Sequence, residues 1–216
     1  MTRTVVAAVG GHAVTGDGGY DGERSAVDQT AREIVGAFGA KRIVLVHGNG
    51  PQVARLWQDE RSSDLDIAVA QTQGELGYLF AEALGRVGID ALAIVTRVIV
   101  PGIADEPRVK AIGSKGIRVA SPRPERIVEM DAIRALAECH DLIVGGGGGV
   151  ALAAAAGGRA PVMAVIDKDW TAALIAVALD ADQLVFLTDV DGVESQGSRL
   201  PEMNVAEANQ LVATEI

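Results

Sequence analysis

The sequence predicts an α/β fold, with a mostly parallel sheet covered by helices on both faces, and three observations carry that prediction. Short β-branched runs alternate with longer stretches of helical spacing along the 216 residues, the pattern of strand–crossover–strand units. Hydrophobic residues make up 49% of the chain but aromatics only 3%, so the core is aliphatic. The 26 glycines concentrate in loops that follow predicted strands, a balance that disfavours a β-sandwich or a disordered chain. The length suits one large domain, 1–216, carrying a small appendage.

Residues 5–9 read as a first strand, ended by Gly10 and Gly11. Residues 24–38 have helical spacing, with Val27, Ile34, Val35 and Phe38 on one side. A second strand over 42–46 precedes His47-Gly48-Asn49-Gly50-Pro51 and a helix over 52–60. Residues 71–87 form a longer helix with an apolar stripe of Leu76, Leu79, Phe80 and Leu84. Residues 91–95 and 98–100 are strand-like. Scattered Pro, Gly and basic residues make 101–124 an irregular excursion, a small flap. Then follow a helix over 127–138, a strand over 142–144, a glycine turn over 145–149, a strand over 162–166, a helix over 170–181 and a strand over 184–187.

Nineteen basic against 29 acidic residues give a net charge of −10, and no Lys/Arg run offers the basic face that nucleic-acid binding needs. The single cysteine, Cys139, falls in a helical run and reads as a small buried residue. It cannot form an internal disulfide, which fits a reducing cytoplasm. The first residues lack a signal-peptide pattern, and no run reaches the roughly 18–20 apolar residues that span a bilayer. A cytoplasmic protein without membrane contact is expected.

In open parallel sheets, ligands bind where strands end and helices begin. Three glycine-rich loops occupy such places: Gly10-Gly11-His12-Ala13, His47 to Gln52, and Gly145 to Gly149. Glycine lets the backbone approach an anion closely, and the next helix offers free N–H groups. None of the loops is a P-loop, and the third fits a dinucleotide fingerprint poorly. Val165-Ile166-Asp167-Lys168-Asp169 sets a lysine between two carboxylates at a strand end, which suits phosphoryl transfer. The same residues also read as a solvated turn with Asp169 capping a helix. Thr188-Asp189-Val190-Asp191-Gly192 is either a nucleotide-contacting turn or an ordinary Asp-Gly turn.

Together these segments resemble carbamate kinases of the amino acid kinase family. The similarity rests on Gly10-Gly11-His12-Ala13, His47-Gly48-Asn49-Gly50-Pro51-Gln52-Val53, Gln73-Gly74-Glu75-Leu76-Gly77-Tyr78 and Thr96-Arg97-Val98-Ile99-Val100. It continues through Ser121-Pro122-Arg123-Pro124, Gly145 to Gly149, Val165 to Asp169 and Leu187 to Val193, in the family's order. The resemblance implies a three-layer αβα sandwich, a homodimer, and reversible phosphoryl transfer between ATP and carbamate, with Mg²⁺ carried by the nucleotide and no protein metal site. It makes Lys168, Asp169 and the lid lysine Lys110 the catalytic group. Gly10, Gly11, His12, Gly48, Asn49, Gly50, Gly146 and Gly147 would hold the small anionic acceptor. Asp167, Thr188, Asp189, Val190 and Gly192 would lie by the nucleotide.

The departures define alternatives. His12 stands where the family usually has Asn, and Trp170 follows Asp169 in place of an aliphatic, with bulk that could reshape the pocket. Ten residues, 111–120, separate Lys110 from Ser121, where the family carries a larger protruding subdomain, so a short lid is expected at about 101–124. The family's Gly-Ser-Met-Gly-Pro-Lys-type nucleotide segment has no counterpart up to Ile216, and no Lys follows Lys168. A kinase for another carboxylate or phosphonate, and a non-catalytic ligand- or partner-binding descendant, remain beside the carbamate kinase reading.

Overall fold

The computed structural model describes residues 3–17, 19–39, 41–59, 64–103, 107–145, 148–188, 190, 192–195 and 197–215. Strand β1 (Thr4–Val9) leads through a short 3-10 turn (Gly11–Val14) to helix α1 (Tyr20–Phe38). Strand β2 (Arg42–His47) is followed by α2 (Gly50–Asp59), α3 (Leu65–Arg86), β3 (Ala91–Ile94) and β4 (Arg97–Ile99). A hairpin of β5 (Val109–Ile112) and β6 (Ile117–Ala120) precedes β7 (Arg126–Ile127), α4 (Met130–Ala137) and β8 (Asp141–Val144). The chain continues through β9 (Val150–Ala155), β10 (Gly158–Pro161), α5 (Lys168–Ala178) and β11 (Gln183–Leu187). A two-strand turn, β12 (Glu194–Ser195) with β13 (Ser198–Arg199), leads to α6 (Val205–Glu215).

Five parallel strands form the central sheet in the order β11-β1-β2-β8-β3. Side chains alternate across a strand, and the core divides accordingly. Val9, Ile43, Leu45 and Ile143 pack against α1 and α3, through Val27, Ile34, Leu76 and Phe80. Val6, Ala8, Val44, Val46, Leu142 and Val144 pack on the other face, against Ile133 of α4 and Ala172 and Ile175 of α5. Helix, sheet and helix thus make three layers. Because both faces are covered, the central strands need apolar residues at every position, which is why the 5–9 and 42–46 runs were readable.

A second sheet, β10-β9-β4-β7, is mixed. Here several expectations are corrected. The Ala-biased stretch after residue 149 forms the β9–β10 hairpin, although its VALAAA composition carries little strand signal. Residues 162–166 do not form a strand; Ala164 makes one isolated parallel bridge to Ala120. The helix expected over 127–138 starts at Met130, since Arg126 and Ile127 pair with β4. The excursion at 101–124 is not irregular throughout: β5 and β6 pair antiparallel, with Ile112 and Val119 buried against α2. Cys139 is exposed, two residues past the buried Ala137, because α4 has already ended. Trp170 is 40% exposed and lies under the Arg123 guanidinium at 4.3 Å on the outer side of α5, so it does not shape the cleft described below. Among the described residues no helix is long and apolar enough to cross a membrane.

Candidate active site

A cleft of about 510 Å³ opens at the carboxyl ends of β1 and β2. Gly11, Gly48 and Gly50 form its floor, and Lys110 and Lys168 stand together on one side. The floor is tight: a Cβ on Gly48 would lie 3.2 Å from the Gly11 amide nitrogen and 3.4 Å from Lys168 Cδ. Two loops from neighbouring strands therefore meet under one ammonium. Gly50 begins α2, so the free N–H groups of that first turn sit beside the cleft.

Lys168 is the first residue of α5, whose N-cap is Asp167: the Asp167 carboxylate accepts from the Asp169 amide at 3.1 Å. The alternative that Asp169 caps the helix is thereby corrected by two residues. Lys168 Nζ donates to Asp169 Oδ1 at 2.7 Å, and Lys110 Nζ donates to Asp167 Oδ2 at 3.3 Å. Burial raises the Asp167 carboxyl, but Lys110, the Asp169 amide and Lys168 outweigh it and leave it below the ordinary carboxylate range. Both lysines thus face the cleft with their charges balanced by carboxylates from one helix start.

A second hollow of about 530 Å³ lies on the other side of Lys168, lined by Gly10, Gly11, Asp169, Leu187 and Thr188 among others. Lys168 borders both cavities. Val190 is 62% exposed, and neither it nor Gly192, at φ +141°, lines either cavity. Asn49 is buried and donates through Nδ2 to Thr72 Oγ1 at 2.8 Å, so its side chain anchors the second loop to α3 and is absent from the cleft wall. Gly146, Gly147 and Asp189 lie outside the described residues, as does the side chain of His12. The rest of the third turn is fitted closely: a Cβ at Gly145 would come 1.7 Å from Gln73 Oε1, and one at Gly148, at φ +79°, 2.6 Å from Ile166 Cγ2. Only glycine is tolerated at either position.

The opposite wall of the cleft carries residues that the sequence reading missed. Thr15, Gly16, Gly19, Glu23 and Arg55 line it. Glu23 is 3% exposed, and its Oε1 accepts from Arg55 Nη1 at 2.6 Å and from Gln52 Nε2 at 3.3 Å. Arg55 also reaches Glu75 at 3.0 Å and lies 4.9 Å from the Tyr20 ring centroid. Burial raises the Glu75 carboxyl, with Arg55 opposing and Glu23 reinforcing the shift. A signal was available: Glu23 falls one turn before Val27 on the stripe that continues to Ala31 and Ile34, and an acid on an apolar stripe needs a partner.

Below the second loop, His47 is fully buried and stacks on Phe80 at 5.8 Å between ring centroids. Neither ring nitrogen has a hydrogen-bond partner among the described residues. Burial lowers its pKa to about 4, and the nearby Gly48 backbone offsets only part of that.

Glycine loops and a helix-start lysine gathered at the strand ends suit phosphoryl transfer, and the comparisons point the same way. The chain belongs to the amino acid kinase family, whose profile matches residues 3–216. It is 32% identical to carbamate kinase 2 of Enterococcus faecalis, over 96% of this chain and 82% of the relative. The structure of the Giardia lamblia carbamate kinase bound to citric acid superposes with a TM-score of 0.88 at 29% identity, covering 98% of this chain and 83% of the other. The same enzyme bound to AMP-PNP matches with a TM-score of 0.74 at 29% identity, over 88% and 74% of the two chains.

Proposed function

We propose that this chain is a carbamate kinase-like phosphotransferase, moving a phosphoryl group reversibly between ATP and carbamate. One observation carries the reading: Lys168 borders both the acceptor cleft and the second hollow, where a phosphoryl group passing between two ligands would lie. In the direction of ATP synthesis, a β-phosphate oxygen of ADP attacks the phosphorus of carbamoyl phosphate. The bond from that phosphorus to the carbamoyl oxygen breaks, and carbamate leaves with the electron pair. Little covalent chemistry falls to the protein in such a transfer, so positioning and charge stabilisation dominate.

In this reading Gly11, Gly48 and Gly50 hold the acceptor's anionic edge, and Lys168 neutralises charge on the moving group. Asp169 orients Lys168, while Lys110 closes over the acceptor from the hairpin, which serves as the short lid. Gly10, Asp169 and Thr188, which line the second hollow, would lie on the nucleotide side. Mg²⁺ enters as the nucleotide's own ion, screening phosphate charge. Asp167 acts through the cap of α5 and through Lys110.

A cytoplasmic homodimer belongs to the same proposal. The single cysteine suits a reducing compartment. The apolar stripe of α3 is buried within the chain, but the sheet's edge strand β3 leaves Leu92 40% and the following Val95 48% exposed, a surface that a second copy could cover; sedimentation showing a monomer at micromolar concentration would remove the dimer. Coupled assay of ATP formation from carbamoyl phosphate and ADP tests the activity itself. Turnover is expected, and its absence together with absent nucleotide binding would favour a non-catalytic ligand-binding role.

A further inference from the structure

We propose that Thr171 is a positioning residue for phosphoryl transfer: its buried hydroxyl ties the third glycine turn to α5 and so fixes where Lys168 meets the cleft. The assignment rests on the carbamate kinase-like reading. Lys168 is the first residue of α5, so any slide or roll of that helix carries the ammonium with it. Ala172 and Ile175 pack the helix on the sheet through apolar contacts, which set a distance but favour no direction. A hydrogen bond weakens steeply as its angle opens. A polar tie to a fixed point is therefore what can hold the helix against rolling.

Thr171 supplies that tie. It is fully buried, and its Oγ1 donates to the Gly148 carbonyl at 2.8 Å. A threonine inside a helix commonly returns its hydroxyl to the carbonyl four residues back, as Thr72 of α3 does to Ala68 at 2.8 Å. Thr171 instead sends its proton to another element. The point it reaches is anchored. The Gly145 amide donates to the Ile94 carbonyl at 3.0 Å and the Val150 amide to the Thr96 carbonyl at 2.9 Å, so both ends of the turn hang on the β3–β4 connection. Gln73 holds that connection in turn, accepting from the Thr96 amide at 2.8 Å and donating to the Thr96 carbonyl at 3.2 Å. The fit on the α5 side is close: a Cβ on Gly148 would come 2.9 Å from Thr171 Oγ1 as well as meeting Ile166. The turn thus presses on the chain two residues before Lys168 and three residues after it. The Asp167 cap closes the helix start upon itself; Thr171 fixes that start to the sheet.

The test is Thr171→Val, which keeps the side chain's shape and replaces its hydroxyl by a methyl. The kcat for ATP formation from carbamoyl phosphate and ADP is expected to fall about tenfold, the worth of one buried hydrogen bond felt in the chemical step. KM for carbamoyl phosphate should stay within about twofold, because the ligand itself is not touched. Thr171→Ser, which retains the hydroxyl, should restore most of kcat. The deciding measurement adds Thr171→Val to Lys168→Ala. A residue that acts through Lys168 then has nothing left to place, so the double variant should be no slower than Lys168→Ala alone. Losses that multiply would give Thr171 an effect of its own and overturn the assignment. An unaltered kcat in Thr171→Val, with or without a lower denaturation midpoint, would also overturn it and leave an ordinary core threonine. Should Thr171→Val fold poorly, Thr171→Ala, which introduces no new atom, is read by the same kcat, KM and double-variant criteria. If the unaltered chain makes no ATP from carbamoyl phosphate, the kinase reading fails and takes this assignment with it; if it does and kcat ignores Thr171, only the assignment fails.

Discussion

The two lysines facing the cleft are held in different ways. Lys168 opens a helix that packs directly on the central sheet, its side chain is 16% exposed, and its Cδ lies against the second glycine loop. Lys110 rides a two-stranded hairpin outside both larger sheets, its side chain is 28% exposed, and its ammonium pairs with Asp167 at 3.3 Å. One cation is part of the framework; the other is brought to it. Preorganised charge needs no rearrangement during reaction, so Lys168 should govern the chemical step and Lys110 the capture of the acceptor.

The largest expected effect is on Lys168→Ala, which should lower kcat for ATP formation from carbamoyl phosphate by about 10²–10³-fold. Turnover that survives the substitution would break the comparison at its first term.

Next comes the framework beneath Lys168, tested by acid. His47 titrates at about 4 in the folded protein against an ordinary 6.5. Below pH 6.5 the unfolded chain takes up a proton that the folded one refuses, so stability falls with pH and levels off near 4. The loss should total about 3 kcal/mol across that window. Denaturant titrations between about pH 7 and 4 read it, and His47→Gln should flatten the profile; an unaltered slope would refute the account. Asp167 has the same sign at lower pH. Its depressed pKa adds stability above the ordinary carboxylate value that is lost only at lower pH, below the histidine window.

Lys110→Ala should raise KM for carbamoyl phosphate about tenfold while kcat changes less. A kcat loss equal to that of Lys168→Ala would make the two lysines equivalent. The smallest effect concerns the residue they share. Asp167→Ala should cost about 1 kcal/mol through the lost cap of α5, seen in chemical denaturation, and Asp167→Asn should recover most of it.

Much of the framework was legible because central strands of a covered parallel sheet must be apolar throughout, so runs such as 5–9 and 42–46 stand out. The lysine between two aspartates was legible for a similar reason: three charges at the end of an apolar run need a common purpose. Legibility failed where the physical cause is tertiary. The β9 strand is mostly alanine and is a strand because β4 and β10 flank it. The 162–166 run has β-branched residues but among the described residues makes no ladder, just one isolated bridge to Ala120. Arg55 and Glu23 lie 32 residues apart in sequence and meet through helix packing that no local pattern encodes.

Cys139 offers a practical return. It is the sole thiol in the sequence, it is exposed, and it lies just before β8 begins, whereas the cleft opens where the parallel β1 and β2 end. A maleimide dye or a surface tether attached there would sit on the pole opposite the ligands. The protein can therefore be immobilised or made fluorescent at one defined point, with its working face left open to solution.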